Sequence, residues 1–205
     1  MMILRSSAAS PFGRKVAMAI DVLGLREQIR MEPADTTSST DSLRQQNPLG
    51  KIPALVLDTG VVLYDSRVIV EYLDLIDGGH RLLPADGMAR IAVQRQQALA
   101  DGLLDAAILQ MYEKRFRPVE HHVQSWLDHQ AGKVTRALQH AEAELAVPLS
   151  GDTPHIGEIA QAAALGYLDF RFAGNWRQSC PQLAAWLEDF ARRVPAYARS
   201  APVVA

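Results

Sequence analysis

Strand-like runs stop before residue 80, and from there the chain keeps a helical period for most of its 205 residues. Any sheet must therefore be assembled from the first 79 residues, and it must be small. Met2-Ile3-Leu4-Arg5 is a short apolar run suited to a buried strand. Gln28-Ile29-Arg30-Met31-Glu32 alternates polar and apolar and predicts a second. Ile52 to Leu57 predicts a third, and Asp58-Thr59-Gly60 turns it back into Val61-Val62-Leu63 as a hairpin. Between them lie a helix running to Leu23 and stopped by Gly24, a polar loop over Pro33–Thr40, and a short helix over Asp41–Gln46 stopped by Asn47-Pro48-Leu49-Gly50. Ser66 is placed to cap a helix over Val68–Ile76, ended by Asp77-Gly78-Gly79.

The expected division is residues 1–79 as a mixed sheet-and-helix domain, 80–86 as a linker holding Pro84, and 87–205 as an all-helical domain. Helices are expected over Met88–Phe116, Val119–Ala146 (ended by Val147-Pro148), Ile156–Phe172 and Pro181–Val194. The net charge of −2 and the lack of a basic block give no nucleic-acid footprint. One cysteine, Cys180, excludes an internal disulfide and argues against a thiolate metal cluster; it is expected to be buried and inert near the start of a late helix. His121 and His122 are adjacent and so point apart, and His129 and His140 have no partner at ligand spacing, so no metal is expected. No run reaches bilayer length and no secretion signal is seen, so a cytoplasmic protein without membrane contact is expected.

Three places carry chemistry. In Ser10-Pro11-Phe12-Gly13-Arg14-Lys15 a hydroxyl stands at a helix entry, where free N–H groups and partial positive charge favour an anion. Taken alone, the pair reads first as an ordinary cap. Pro53 opens a strand that looks central, where it cannot donate to the ladder. A cis Ile52–Pro53 bond would turn the Ile52 N–H and C=O outward to pair with an extended peptide; a trans proline on an edge strand is the alternative. Asp65-Ser66 sits at a later helix start, with groups for an ammonium and a carboxylate, or simply for a cap.

Together, Ser10–Val16, Asn47-Pro48-Leu49-Gly50-Lys51-Ile52-Pro53-Ala54-Leu55 and Leu63-Tyr64-Asp65-Ser66-Arg67-Val68-Ile69-Val70-Glu71-Tyr72-Leu73 resemble the cytosolic glutathione S-transferase family. Ala98–Gly102 and Gly166–Arg171 are similar to a bacterial subgroup of it. The resemblance implies an α/β thioredoxin-like domain with a mixed four-stranded sheet, followed by an all-α helical domain. It implies glutathione as co-substrate and a homodimer. It places Ser10 at the glutathione sulfur, Ile52 on the cysteinyl backbone with Pro53 cis, Asp65 and Ser66 on the γ-glutamyl end, and Lys51 on the glycyl carboxylate. Ser6 and Ser7 are rivals to Ser10. Two positions depart from the family pattern: His155 replaces the usual Ser or Thr cap before Glu158, with Thr153 an earlier candidate cap, and Asp65 stands where Glu is commoner.

The activity implied is a glutathione transferase that activates the thiol for attack on a small electrophile. A serine cannot form a mixed disulfide, which disfavours a thiol–disulfide oxidoreductase. A non-catalytic binding or regulatory protein on the same scaffold, or a glutathione-dependent isomerase or reductase, are the alternatives. Tyr112, Arg115, Phe116 and Trp176 are the candidate walls of the electrophile pocket, with ordinary packing as the rival role.

Overall fold

A computed structural model of the chain describes residues 1–145 and 153–202. Four strands form one sheet: β1 (Met2–Ser6), β2 (Ile29–Pro33), β3 (Ala54–Val56) and β4 (Val62–Leu63), in the order β2-β1-β3-β4. β1 runs parallel to β2, with Leu4 opposite Met31, and antiparallel to β3, with Leu4 opposite Leu55. The parallel pair needs a crossover, and α1 (Pro11–Val22) supplies it. α2 (Leu43–Gln46) and α3 (Ser66–Ile76) complete the sheet half, a thioredoxin-like arrangement.

The helical half holds α4 (Gly87–Phe116), α5 (Gln124–Ala143), α6 (Ile156–Phe172), α7 (Pro181–Arg193) and α8 (Ala196–Arg199). α6 is its axle: Ile156, Ile159, Ala160, Ala162 and Ala163 are all 0% exposed. Small residues on α6 let neighbouring helices approach closely, and α4 packs along it while α1 reaches it from the sheet half. One contiguous apolar core therefore runs through both halves, from Leu4 and Met18 to Leu104 and Phe190.

The elements differ from expectation mostly at their ends. β3 is shorter than Ile52–Leu57, because Ile52 and Pro53 precede the ladder. The helix expected over Val119–Ala146 breaks into a 3-10 turn at Val119–His121 and then α5, starting at Gln124. Ala146 and its stop at Val147-Pro148 lie outside the described residues. Asp65, rather than Ser66, caps α3: its Oδ1 accepts from the Arg67 N–H at 2.9 Å, and Ser66 is the first helical residue. α8 went unread because Pro195 looks like a terminator, yet it begins a further short helix.

The start of α6 shows how the family's hydroxyl is replaced. His155 Nδ1 accepts from the Glu158 N–H at 3.3 Å, and the Glu158 carboxylate accepts from the His155 N–H at 3.1 Å. An imidazole thus completes a reciprocal capping box. Thr153 stays exposed and takes no part.

Candidate functional site

α1 begins where β1 delivers the chain to the edge of the helical half. Ser10 is its N-cap, in extended conformation with φ −80° and ψ 116°, and Pro11 takes the first helical position. The Ser10 Oγ accepts from the Gly13 N–H at 3.1 Å. A hydroxyl that accepts still has its own proton to donate, so the Ser10 O–H is available to a second acceptor. The two rivals are placed differently. Ser6 is 5% exposed at the end of β1, and its Oγ lies where a side chain on Gly13 would stand. Ser7 is half-buried and its carbonyl accepts from the Ser10 N–H at 3.0 Å.

Ser10 borders a small crevice between the halves, with a free volume of about 10 Å³. Opposite it stand Ala163, Gly166, Tyr167 and Phe170 of α6, with Arg14 beside them. Of the expected wall residues, Tyr112 lies near the Tyr167 side chain and packs edge-to-face on Phe116 at 5.3 Å. Trp176 is buried instead in the helical core, its Nε1–H donating to Asp169 at 2.9 Å, and it does not line the crevice. Arg115 rests on the Phe116 ring, 5.3 Å from its centroid.

The second motif approaches from β3. The Ile52–Pro53 bond is cis. Asn47, 1% exposed, holds the loop before it: Nδ2 donates to the Lys51 carbonyl at 2.8 Å and Oδ1 accepts from the Leu49 N–H at 3.0 Å. Gly50 takes the positive φ of 59° that this tight loop requires. Lys51 is exposed, and among the described residues Ile52 forms no hydrogen bond through its N–H or C=O. In the sequence Asn47 reads as a helix stop and as the first residue of the second motif; its Asn-Pro-x-Gly context is the signal that it also holds a structured loop.

At the third motif Asp65 is exposed and follows a cis Tyr64–Asp65 bond, while Ser66 is buried at the first turn of α3. Next to them lies a charged cluster that sequence reasoning missed. Lys15 is wholly buried, and its Nζ donates to both oxygens of Asp101 at 2.7 and 2.9 Å. Arg67 Nε donates to the same carboxylate at 2.9 Å. Burial pushes the Lys15 ammonium below its ordinary range, with Asp101 opposing. One turn further along α4, desolvation and the Asp101 charge hold the Asp105 carboxyl above the usual range, with Arg67 and Lys51 opposing.

Comparison with known proteins fits this geometry. Residues 4–81 match the family model for the glutathione S-transferase N-terminal domain, and residues 124–189 that for its C-terminal domain. The chain belongs to the glutathione S-transferase family. Among members of that family, it is 34% identical over 204 residues to the uncharacterized GST-like protein YibF of Escherichia coli K12, covering 98% of each chain. A glutathione transferase family member from Pseudomonas fluorescens Pf-5, crystallised with bound glutathione, superposes with a TM-score of 0.92 at 44% identity, covering 100% of both chains. A Pseudomonas fluorescens Pf-5 family member with bound S-(propanoic acid)-glutathione superposes at 0.88 and 42% identity, over 99% of this chain and 100% of the other. As a glutathione S-transferase fold, this chain joins its sheet half and helical half in the order those relatives do.

Proposed function

We propose that the protein is a glutathione transferase that holds the glutathione thiolate at the start of α1 and directs it onto a small electrophile at the crevice against α6. The observation that carries this reading is Ser10. Its oxygen is anchored by the Gly13 N–H, its proton is uncommitted, and it stands at a helix N-terminus facing the crevice. The glutathione-bound relatives support the choice of thiol.

The rest of the tripeptide has matching partners. Asp65 is the acid for the γ-glutamyl ammonium, and the Ser66 amide and hydroxyl suit its carboxylate. The Ile52 backbone groups face an extended cysteinyl segment, and Lys51 is the cation for the glycyl carboxylate. In this reading residues 1–79 bind glutathione and residues 87–205 bind the electrophile.

The energetics close without a general base. A free thiol has a pKa near 8.5, and lowering it by about two units needs roughly 2.7 kcal/mol of preference for the anion. A hydrogen bond to a charged group contributes roughly 1.5–3 kcal/mol, and a helix start adds about 0.3–1 kcal/mol. One serine proton and the end of α1 are enough. The thiol proton goes to solvent, the thiolate forms the new carbon–sulfur bond, and the leaving group departs with its electron pair.

Ser10→Ala tests the reading. Thiolate absorbance of bound glutathione, titrated against pH, is expected to shift upward by one unit or more, on the order of a lost charge-assisted hydrogen bond. An unchanged titration would remove Ser10 from the mechanism. We also infer a cytoplasmic homodimer. Exposed Val68 and Leu75 on α3 and Met88 and Ile91 on α4 supply apolar surface for a second copy, and light scattering at twice the chain mass is the expected result.

A further inference from the structure

Between α1, β2 and α8 lies a cavity of about 340 Å³. Gly13, Ala17, Ile20 and Asp21 fall on one face of α1 and form its first wall. Gly13 and Ala17 present almost no side chain, so this wall stands back and leaves room. Ile29 and Met31, on one face of β2, form the second wall, and the exposed Met31 marks the rim. Arg199 and Ser200 close the third side. Its described lining residues include none of Ser10, Ile52, Pro53, Asp65 and Ser66, so it is separate from the glutathione site proposed above.

The cavity is a slot along α1. Gly13 and Asp21 stand about 12 Å apart at the helical rise per residue. The strand register agrees: Ser6 is opposite Pro33 at the Gly13 end, and Met2 is opposite Ile29 at the other. The two ends differ in charge. At the Asp21 end one buried carboxylate accepts from Arg26 Nε and Nη2 at 2.6 and 2.7 Å and from Arg199 Nε at 2.9 Å. Two guanidiniums on one carboxylate leave positive charge in excess, and among the described residues both Nη groups of Arg199 form no hydrogen bond.

At the Gly13 end the charges balance. Arg14 is held by the Tyr197 carbonyl at 2.9 Å and Ser200 Oγ at 3.4 Å, and Glu32 is paired with Arg30 at 2.6 Å. That end offers the Ser6 hydroxyl instead. It is buried, and among the described residues its Oγ forms no hydrogen bond. A buried hydroxyl without a partner carries a desolvation cost that a bound polar group removes.

We propose that the slot is a second ligand site, independent of glutathione, for an aromatic hydroxy acid whose carboxylate and hydroxyl stand at opposite ends of a flat apolar body. The carboxylate takes charge-assisted hydrogen bonds from the Nη groups of Arg199. The ring lies on Ala17 and Ile20, with the Met31 thioether at its edge. The ligand hydroxyl meets Ser6 Oγ. The site stands whether or not the protein conjugates glutathione.

Calorimetric titration of the full chain with para-hydroxycinnamate, its primary amide and cinnamate tests the site. The hydroxy acid is expected to bind once per chain. The amide keeps the shape without the charge and is expected to bind about tenfold or more weakly, and cinnamate, which leaves Ser6 unpaired, weaker than the hydroxy acid. Saturating glutathione should leave the affinity unchanged. Arg199→Met should weaken binding about tenfold while Arg26 still holds Asp21. Ala17→Leu fills the slot from a half-buried position and should abolish binding. Urea midpoints near that of the wild type show that both variants fold. Absence of binding to the wild type, equal affinity for acid and amide, or an affinity unchanged in both variants overturns the proposal. Displacement of the acid by glutathione also overturns it, because the acid then occupies the tripeptide's site.

Discussion

Lys15 and Asp101 face each other at 2.7 Å with side chains 0% and 1% exposed, one on α1 of the sheet half and the other on α4 of the helical half. A buried pair of this kind contributes little against an apolar replacement, but breaking it strands a charge. Asp101→Ala leaves the Lys15 ammonium buried without an anion and is expected to cost about 3–5 kcal/mol. Lys15→Met should cost less, because Arg67 still holds Asp101. The double variant Lys15→Met/Asp101→Leu is expected to be more stable than Asp101→Ala alone. Urea unfolding of the three variants checks the order.

Gly13 and Ser6 offer a second coupling. A methyl group on Gly13 would stand 1.9 Å from the Ser6 Oγ. Gly13→Ala alone should destabilise by about 1–3 kcal/mol through overpacking. Adding Ser6→Ala removes the clashing oxygen and should recover most of that loss, giving a clear coupling term in a double-mutant cycle. Ser6→Ala alone is expected to leave the thiolate titration where it was, since the buried Ser6 Oγ packs against Gly13 of α1.

The imidazole cap makes α6 sensitive to acid. Burial pushes the His155 pKa from 6.5 down to about 4. The folded state therefore binds fewer protons than the unfolded state between these values, so stability is full above pH 6.5 and is lost as the pH falls toward 4. At about pH 5 the loss should approach 2 kcal/mol. Burial raises the Glu158 carboxyl above 4.5, which acts in the opposite direction within the same pH range, but it does so with or without the histidine. His155→Ser keeps a capping oxygen without the titration. Comparing urea midpoints near pH 7 and pH 5, the wild type should lose more than the serine variant; equal losses would exclude His155 as the cause.

Asp65→Asn separates capping from recognition. Asparagine caps as well as aspartate, so α3 should keep its stability within about 0.5 kcal/mol. Glutathione should bind about tenfold or more weakly in calorimetry, because the ammonium loses its anion. Unchanged affinity would remove Asp65 from the γ-glutamyl site.

What the sequence revealed followed from local rules. Ser10-Pro11 announces a helix start because cap and first-turn preferences act over a few residues. Pro53 flagged an unusual backbone because a strand proline lacks its donor. Ser66 reads as the cap of a helix from Val68, whereas Asp65 caps and the helix begins at Ser66; both residue types cap, and only the Asp65 backbone, φ −86° and ψ −162°, decides between them. Lys15 gave no sign of burial: its anion lies 86 residues away, and a lysine in a helix ordinarily faces water. The aromatic wall of α6 was missed for a related reason. Tyr167 is a core residue that borders the crevice at its edge, Phe170 is half-buried beside it, and Trp176, the more conspicuous aromatic, is spent on Asp169.

The ion pair between α1 and α4 also bears on how such chains can be recombined. Grafting this sheet half onto a foreign helical half would carry an ammonium into an apolar interface that holds no acid to receive it. The two halves are therefore not interchangeable parts, and a chimera that folds must inherit residues 15 and 101 together.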